Sequence, residues 1–188
     1  MYRNLLLLLI CILMMNCGLA GSSTSSSSSS GSTGSTTSAD SDDCSESDLT
    51  ACQNAVLALT NDYRADDQDC GTEGEKDAAG DLTLNDLLSE AAQGHAEDMA
   101  EGEFLSHTGS DGSTISDRVD AVGYAFVLAG ENAAYGQDTS EEVVAGWLDS
   151  DGHCANMMNE YFTELGVGFA ESDSGVNYWV QVFGLPID

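Results

Sequence analysis

Basic residues are almost missing from this chain: 4 Lys+Arg stand against 33 Asp+Glu in 188 residues, a formal net charge of -29. A surface of that sign repels phosphate backbones and anionic headgroups, which excludes nucleic acid as a partner and leaves contact with a membrane to a lipid anchor alone. Such acidity favours solubility at high ionic strength, where counterions screen the self-repulsion. Collection of divalent cations is the other reading, opposed by the scattering of the carboxylates and the lack of an Asp-x-Asp-x-Asp-Gly loop. No Cys-x-x-Cys pair occurs, so a Cys/His zinc site is the weaker reading of Cys154. Ser150 stands three residues before His153 and Ser106 adjoins His107, yet neither serine lies in Gly-x-Ser-x-Gly and no oxyanion-hole motif is visible. Histidine is scarce too, with three in the chain.

The N-terminus reads as an export signal. Arg3 supplies a positive start, and Leu5 through Met15 is an apolar run too short to span a bilayer comfortably. Cleavage fits after Ala20, because Gly18-Leu19-Ala20 puts small residues at both recognition positions. Cys17, with Leu13 upstream and Gly18 after it, is a loose match to a bacterial lipoprotein acceptor, although Met15 and Asn16 occupy positions where small residues are usual. Residues 21–43 form a Ser/Thr/Gly-rich tether with nothing to bury, suited to a module held off a membrane. The expected organisation is a signal over 1–20, the tether, and one domain over 44–188, secreted or lipid-anchored at the cell envelope and monomeric. Cys44, Cys52, Cys70 and Cys154 remain in that domain, and an even count in an exported chain implies two disulfides. Of three connectivities, Cys44–Cys52 and Cys70–Cys154 are preferred: the first staples the start of the domain, and the second ties a loop to the segment carrying His153.

Apolar periodicity orders the domain. Cys52, Ala55, Val56, Leu59 and Tyr63 predict a helix over Leu49–Arg64 capped by Asp48, followed by a polar loop to Gly80. Thr83 with Asp86 resembles a capping box for a second helix, whose stripe runs through Leu84, Leu88, Ala92, Ala96 and Met99. His95 falls on that stripe and is read as a core residue rather than a site residue. A short helix from about Thr114 stops at Gly123, an apolar extended stretch runs from Tyr124 to Ala129, and Thr139 with Glu142 opens a fourth helix ended by Gly152. Leu165–Ala170 and Val176–Phe183 are strand-like runs joined by Ser172-Asp173-Ser174-Gly175, a hairpin signal. Helices with antiparallel strands make the fold class α+β, with the sheet covered on both faces.

The stretch from Gly130 to Gly168 concentrates the chemistry. It holds Glu131 and His153, with His107 shortly before it in Phe104-Leu105-Ser106-His107, so a shared site is the first hypothesis. Together with Asn61-Asp62-Tyr63-Arg64, His95-Ala96-Glu97-Asp98-Met99-Ala100, Gly130-Glu131-Asn132, Trp147 to His153, Leu165-Gly166-Val167-Gly168 and Tyr178 to Phe183, these motifs in this order resemble the bacterial branch of the CAP superfamily, the SCP-like extracellular domains. The resemblance covers Leu49 to Phe183. It implies a three-layer α-β-α sandwich with a mainly antiparallel sheet and a cleft, lined in many relatives by two histidines and two glutamates able to hold a divalent metal, often zinc. Carried over, the histidines are His107 and His153 and the first glutamate is Glu131, with Asn132 beside it in the cleft. The second glutamate falls on Ser150, which leaves Asp149 or Asp151 as substitutes. Two functions follow from the resemblance: a non-enzymatic exported module that binds a small ligand, a divalent metal or an extracellular protein, or a metal-dependent hydrolase with Glu131 as base.

Overall fold

Asp48 does cap the first helix, α1 (Leu49–Arg64), by accepting the Ala51 N–H, in the computed structural model, which describes residues 44–187. The expected signal with Cys17 and the whole of the expected tether, 1–43, lie outside the described residues. A small ribbon of β1 (Gln68–Asp69) and β2 (Glu75–Lys76) occupies the stretch read as loop. Thr83 does not open the second helix. Thr83 and Leu84 form β3, parallel to Glu164 and Leu165, and the Thr83 and Asn85 N–H groups are committed to the Thr163 and Leu165 carbonyls. Sheet pairing therefore delays the helix, and Asn85 caps α2 (Asp86–Gly102) by accepting from Leu87 and Leu88 N–H.

Thr114 and Asp117 make a reciprocal capping box at α3 (Ile115–Ala121). The apolar stretch beyond Gly123 continues through Glu131 as one strand, β4 (Phe126–Tyr135). The expected fourth helix divides into α4 (Ser140–Leu148) and α5 (Asp151–Met157). Gly152 thus sits in the first turn of α5 instead of ending α4, and His153 is helical. The expected hairpin joins β5 (Glu164–Glu171) to β6 (Asn177–Pro186), closed by backbone bonds from Ser172 N–H to the Val176 carbonyl and from Gly175 N–H to the Ser172 carbonyl.

The main sheet has the order β3-β5-β6-β4, antiparallel except for the β3–β5 pair. Alternation along β6 sorts its side chains between two cores. Tyr178, Val180 and Val182 pack with Leu88, Ala92 and Met99 of α2, whereas Trp179 and Phe183 pack with Val56 of α1 and Val143 and Trp147 of α4. Both faces are covered, giving the three-layer α-β-α sandwich. On the α2 side the contact is unusually close: a Cβ on Gly166 or Gly168 would overlap the backbone of Leu88–Ser89 or Ala92–Gln93. Leu165 and Val167, on the other face, fill the α1/α4 core.

Arg64, the last residue of α1, fixes the position of α5. It is fully buried, and its guanidinium donates to the carbonyls of Gly80 (2.8 Å), Met157 (2.5 Å), Asn159 (3.0 Å) and Phe162 (3.3 Å). Burial lowers its pKa, with Asp81 opposing that shift. The Met157 carbonyl closes α5, where the helix presents partial negative charge to a cation. Disulfides join Cys44 to Cys52 and Cys70 to Cys154, the second fastening α5 to the loop after β1.

Gly168→Ala should destabilise the domain by about 1–3 kcal/mol through overpacking of α2 on β5. Gly146→Ala, on an exposed face of α4 with open space at its Cβ, should be neutral or stabilising by up to about 1 kcal/mol. Urea denaturation of the two variants measures the contrast; equal effects would refute the close helix–strand packing.

Candidate functional site

Glu131 is the centre of the site. Its carboxylate projects from β4 with 3% of the side chain exposed, and a buried charge of that kind must be paired. Oε1 meets His107 Nδ1 at 2.8 Å, and Oε2 accepts from Arg118 Nη2 at 2.5 Å. Arg118, reaching in from α3, also donates to the carbonyls of Ser113 (3.0 Å) and His107 (3.3 Å). One guanidinium therefore neutralises Glu131 and holds the loop that delivers His107.

The three imidazoles divide by environment. The His107 side chain is 62% exposed, and its pKa is raised chiefly by the hydrogen bond to Glu131. His153, half-buried on α5, has its pKa lowered first by burial and then by the charge of His107, which places the two rings within electrostatic reach. His95 is 1% exposed on the inner face of α2, as its place on the apolar stripe implied. Its Nε2 lies 2.8 Å from the Ser106 carbonyl and 3.9 Å from Glu131 Oε1, and burial is the main cause of its lowered pKa. Since a carbonyl only accepts, Nε2 carries the proton and the neutral ring is oriented.

Asn132 does not line a cleft. It is fully buried; Nδ2 donates to the His153 carbonyl (3.2 Å) and Gln181 Oε1 (3.1 Å), while Oδ1 accepts from Asn156 Nδ2 (3.0 Å). Gln181 in turn donates to Thr60 Oγ1 at 2.8 Å. This satisfied chain crosses from α1 to α5 and sets the backbone that carries His153. Ser150 is half-buried at the N-terminal junction of α5 and makes no side-chain capping bond. Asp151 is committed to Thr72, accepting from its N–H (3.0 Å) and hydroxyl (2.5 Å), and Asp149 is exposed at the end of α4. Neither aspartate stands in for a second glutamate at the site.

The expected set of two histidines and one carboxylate does not make a metal cage in this arrangement. Both Glu131 oxygens are engaged by protein donors, and among the described residues no group of three or more His, Cys, Asp or Glu side chains is arranged to hold a metal ion. What the residues form is an Arg–Glu–His ion-pair network with a second imidazole nearby.

The profile of the cysteine-rich secretory protein (CAP) family matches residues 57–183. The chain belongs to the CAP family. The uncharacterized protein YkwD of Bacillus subtilis (strain 168) is 34% identical over 137 residues, 73% of this chain and 48% of that protein. The chain thus spans about half the length of that relative. An extracellular protein containing an SCP domain from Bacillus anthracis has a similar structure, with a TM-score of 0.60 at 29% identity over 72% of this chain and 40% of that one. An outer surface protein from Borrelia burgdorferi shares the fold, with a TM-score of 0.59 at 20% identity over 76% of this chain and 95% of that one.

Within this CAP domain the residue that sequence reasoning missed is Arg118. No motif marks it. Its signal is rarity, as one of 4 Lys+Arg in the chain, since a lone cation among so many carboxylates has a strong electrostatic reason to be where it is.

Two outcomes follow. In an NMR titration of the imidazole rings, His107 should titrate above the ordinary histidine value of about 6.5 and both His95 and His153 below it. The stability linked to His107 is present below about 6.5 and lost as pH rises through its folded pKa, whereas that linked to His95 and His153 is present above about 6.5 and lost as pH falls through theirs. A His107 midpoint at or below that of His153 would contradict the network. Arg118→Met should cost about 3–5 kcal/mol in urea denaturation, because it strands the Glu131 carboxylate in a buried setting. Arg118→Met/Glu131→Gln should recover part of that loss.

Proposed function

We propose that this CAP domain is an exported, non-enzymatic binding module that takes a small ligand or an extracellular protein at the surface formed by His107, Glu131 and His153. The observation that carries this reading is the closed pairing of Glu131. A general base must be reached by substrate or water, and here the Glu131 side chain is 3% exposed with an imidazole against one oxygen and a guanidinium against the other. The carboxylate is buried between these two partners. Among the described residues no serine hydroxyl is hydrogen-bonded to a histidine ring, so a nucleophile–base pair is not assembled. What faces outward is the His107 ring, with Nδ1 occupied and the ring fixed in orientation, and His153 within electrostatic reach of it. Oriented imidazoles of that kind serve recognition by hydrogen bonding.

Export is supported by the apolar N-terminal run, the two disulfides, and relatives described as extracellular or outer-surface proteins. Among the described residues no helix is long and apolar enough to cross a membrane. The lipid anchor at Cys17 and the free secreted form both accord with this reading.

The test compares the wild-type protein with a His107→Ala/His153→Ala variant on ester and peptide panels, with added zinc and with chelator. Turnover should be absent or equal in the two proteins. Chelator-sensitive turnover that disappears in the double variant would replace the binding module with the metal-dependent hydrolase.

A further inference from the structure

A second hollow, which meets the Glu131 network through Arg118 and His95, opens between α2 and α3 beneath the Gly109–Ser113 loop, with a volume of about 540 Å3. Glu90, Glu97, Asp98 and Asp111 line it, so four acidic residues border one space. Arg118 also borders it, but its charge is balanced by Glu131. An acidic lining alone would mean little in a chain of net charge -29. The deciding feature is His95, which also lines the hollow. Its Nε2 is turned to Ser106, which leaves a lone pair on Nδ1; that atom is buried and has no hydrogen-bond partner. Nδ1 faces Asp98 Oδ2 at 4.0 Å; that oxygen accepts from the Ser110 N–H, and Nδ1 is the acceptor left without a donor.

We infer that this hollow binds a primary ammonium group, on an aliphatic polyamine or a lysyl side chain. One ammonium nitrogen at ordinary hydrogen-bond lengths of about 2.9 Å bridges two acceptors 4.0 Å apart at close to a right angle and gives Nδ1 the donor it lacks. Zinc, at about 2.0–2.1 Å from each, would span the same gap only in an almost linear arrangement far from tetrahedral. The remaining carboxylates suit a second ammonium along the same chain, and the acidic field of the whole protein raises the local concentration of such cations. Asp98 is held over the ring by Ser110, whose N–H and hydroxyl donate to it at 2.8 and 2.5 Å. Entry of the amine to Nδ1 opens that latch. The site does not depend on the function proposed for His107 and His153.

The full chain is titrated with spermidine, and with Nα-acetyl-lysine amide as a second probe, by calorimetry and by 15N NMR of the histidine rings. Glu90→Gln/Asp111→Asn should weaken spermidine about tenfold, whereas Glu75→Gln/Glu160→Gln, an equal charge change at a different hollow, should change it by less than about twofold. At saturation the His95 Nδ1 resonance should move toward that of a hydrogen-bonded acceptor while Nε2 keeps its proton. Binding of both probes assigns the site to lysyl as well as free amines; binding of spermidine alone assigns it to polyamines. Equal weakening by the two pairs of substitutions, an unchanged Nδ1 at saturation, or no binding of either probe would overturn the inference.

Discussion

The Arg64 guanidinium is the interaction on which the remainder of the domain rests. A cation buried without a carboxylate partner survives only if its N–H groups are used, and here four carbonyls from the Gly80 loop, the end of α5 and the turn into β5 converge on it. Those carbonyls belong to segments that make little other regular structure, so one side chain from α1 gathers the whole region that precedes β5. The Cys70–Cys154 bridge and the Asp151–Thr72 bonds hold the opposite end of α5. His153 therefore sits on a short helix fixed at both ends, which is the kind of support a recognition surface needs.

Cations are rare in this chain, and two of them are placed inside it. Arg64 organises backbone and Arg118 organises charge, while the acidic residues are left mainly to the surface. Arg118 also explains why a glutamate can be buried beside two imidazoles without drawing both into protonation. The guanidinium supplies the compensating charge on one side, so only His107, on the other side, gains affinity for a proton. His95 and His153 remain dominated by burial.

Much of this was legible from the residues. The helical stripe of α2, the hairpin, the α+β class and the two-faced sheet followed from periodicity, because burial on a helix face or a strand face imposes it directly. Other features depended on contacts that no local pattern encodes. The start of α2 was misplaced because Thr83 and Leu84 pair with β5, a partner about eighty residues away, which leaves Asn85 to cap the helix. The break between α4 and α5 was missed because Gly152 reads as a stop, although here Asp149 ends one helix and Ser150 starts the next. At the site, His107 and Glu131 meet at 2.8 Å. Asn132 proved to be an internal strut, and the arginine that completes the cluster lay in a segment read only as a short helix.

The strand order carries a consequence for how this domain comes into being. β6 lies between β5 and β4 and supplies side chains to both cores, yet it is the last of the described elements in chain order. A ribosome that delivers the chain from its N-terminus thus releases every described helix before the strand that joins the two halves of the sheet. Until then β4 and β5 have no common neighbour, and each core lacks the side chains that β6 brings to it.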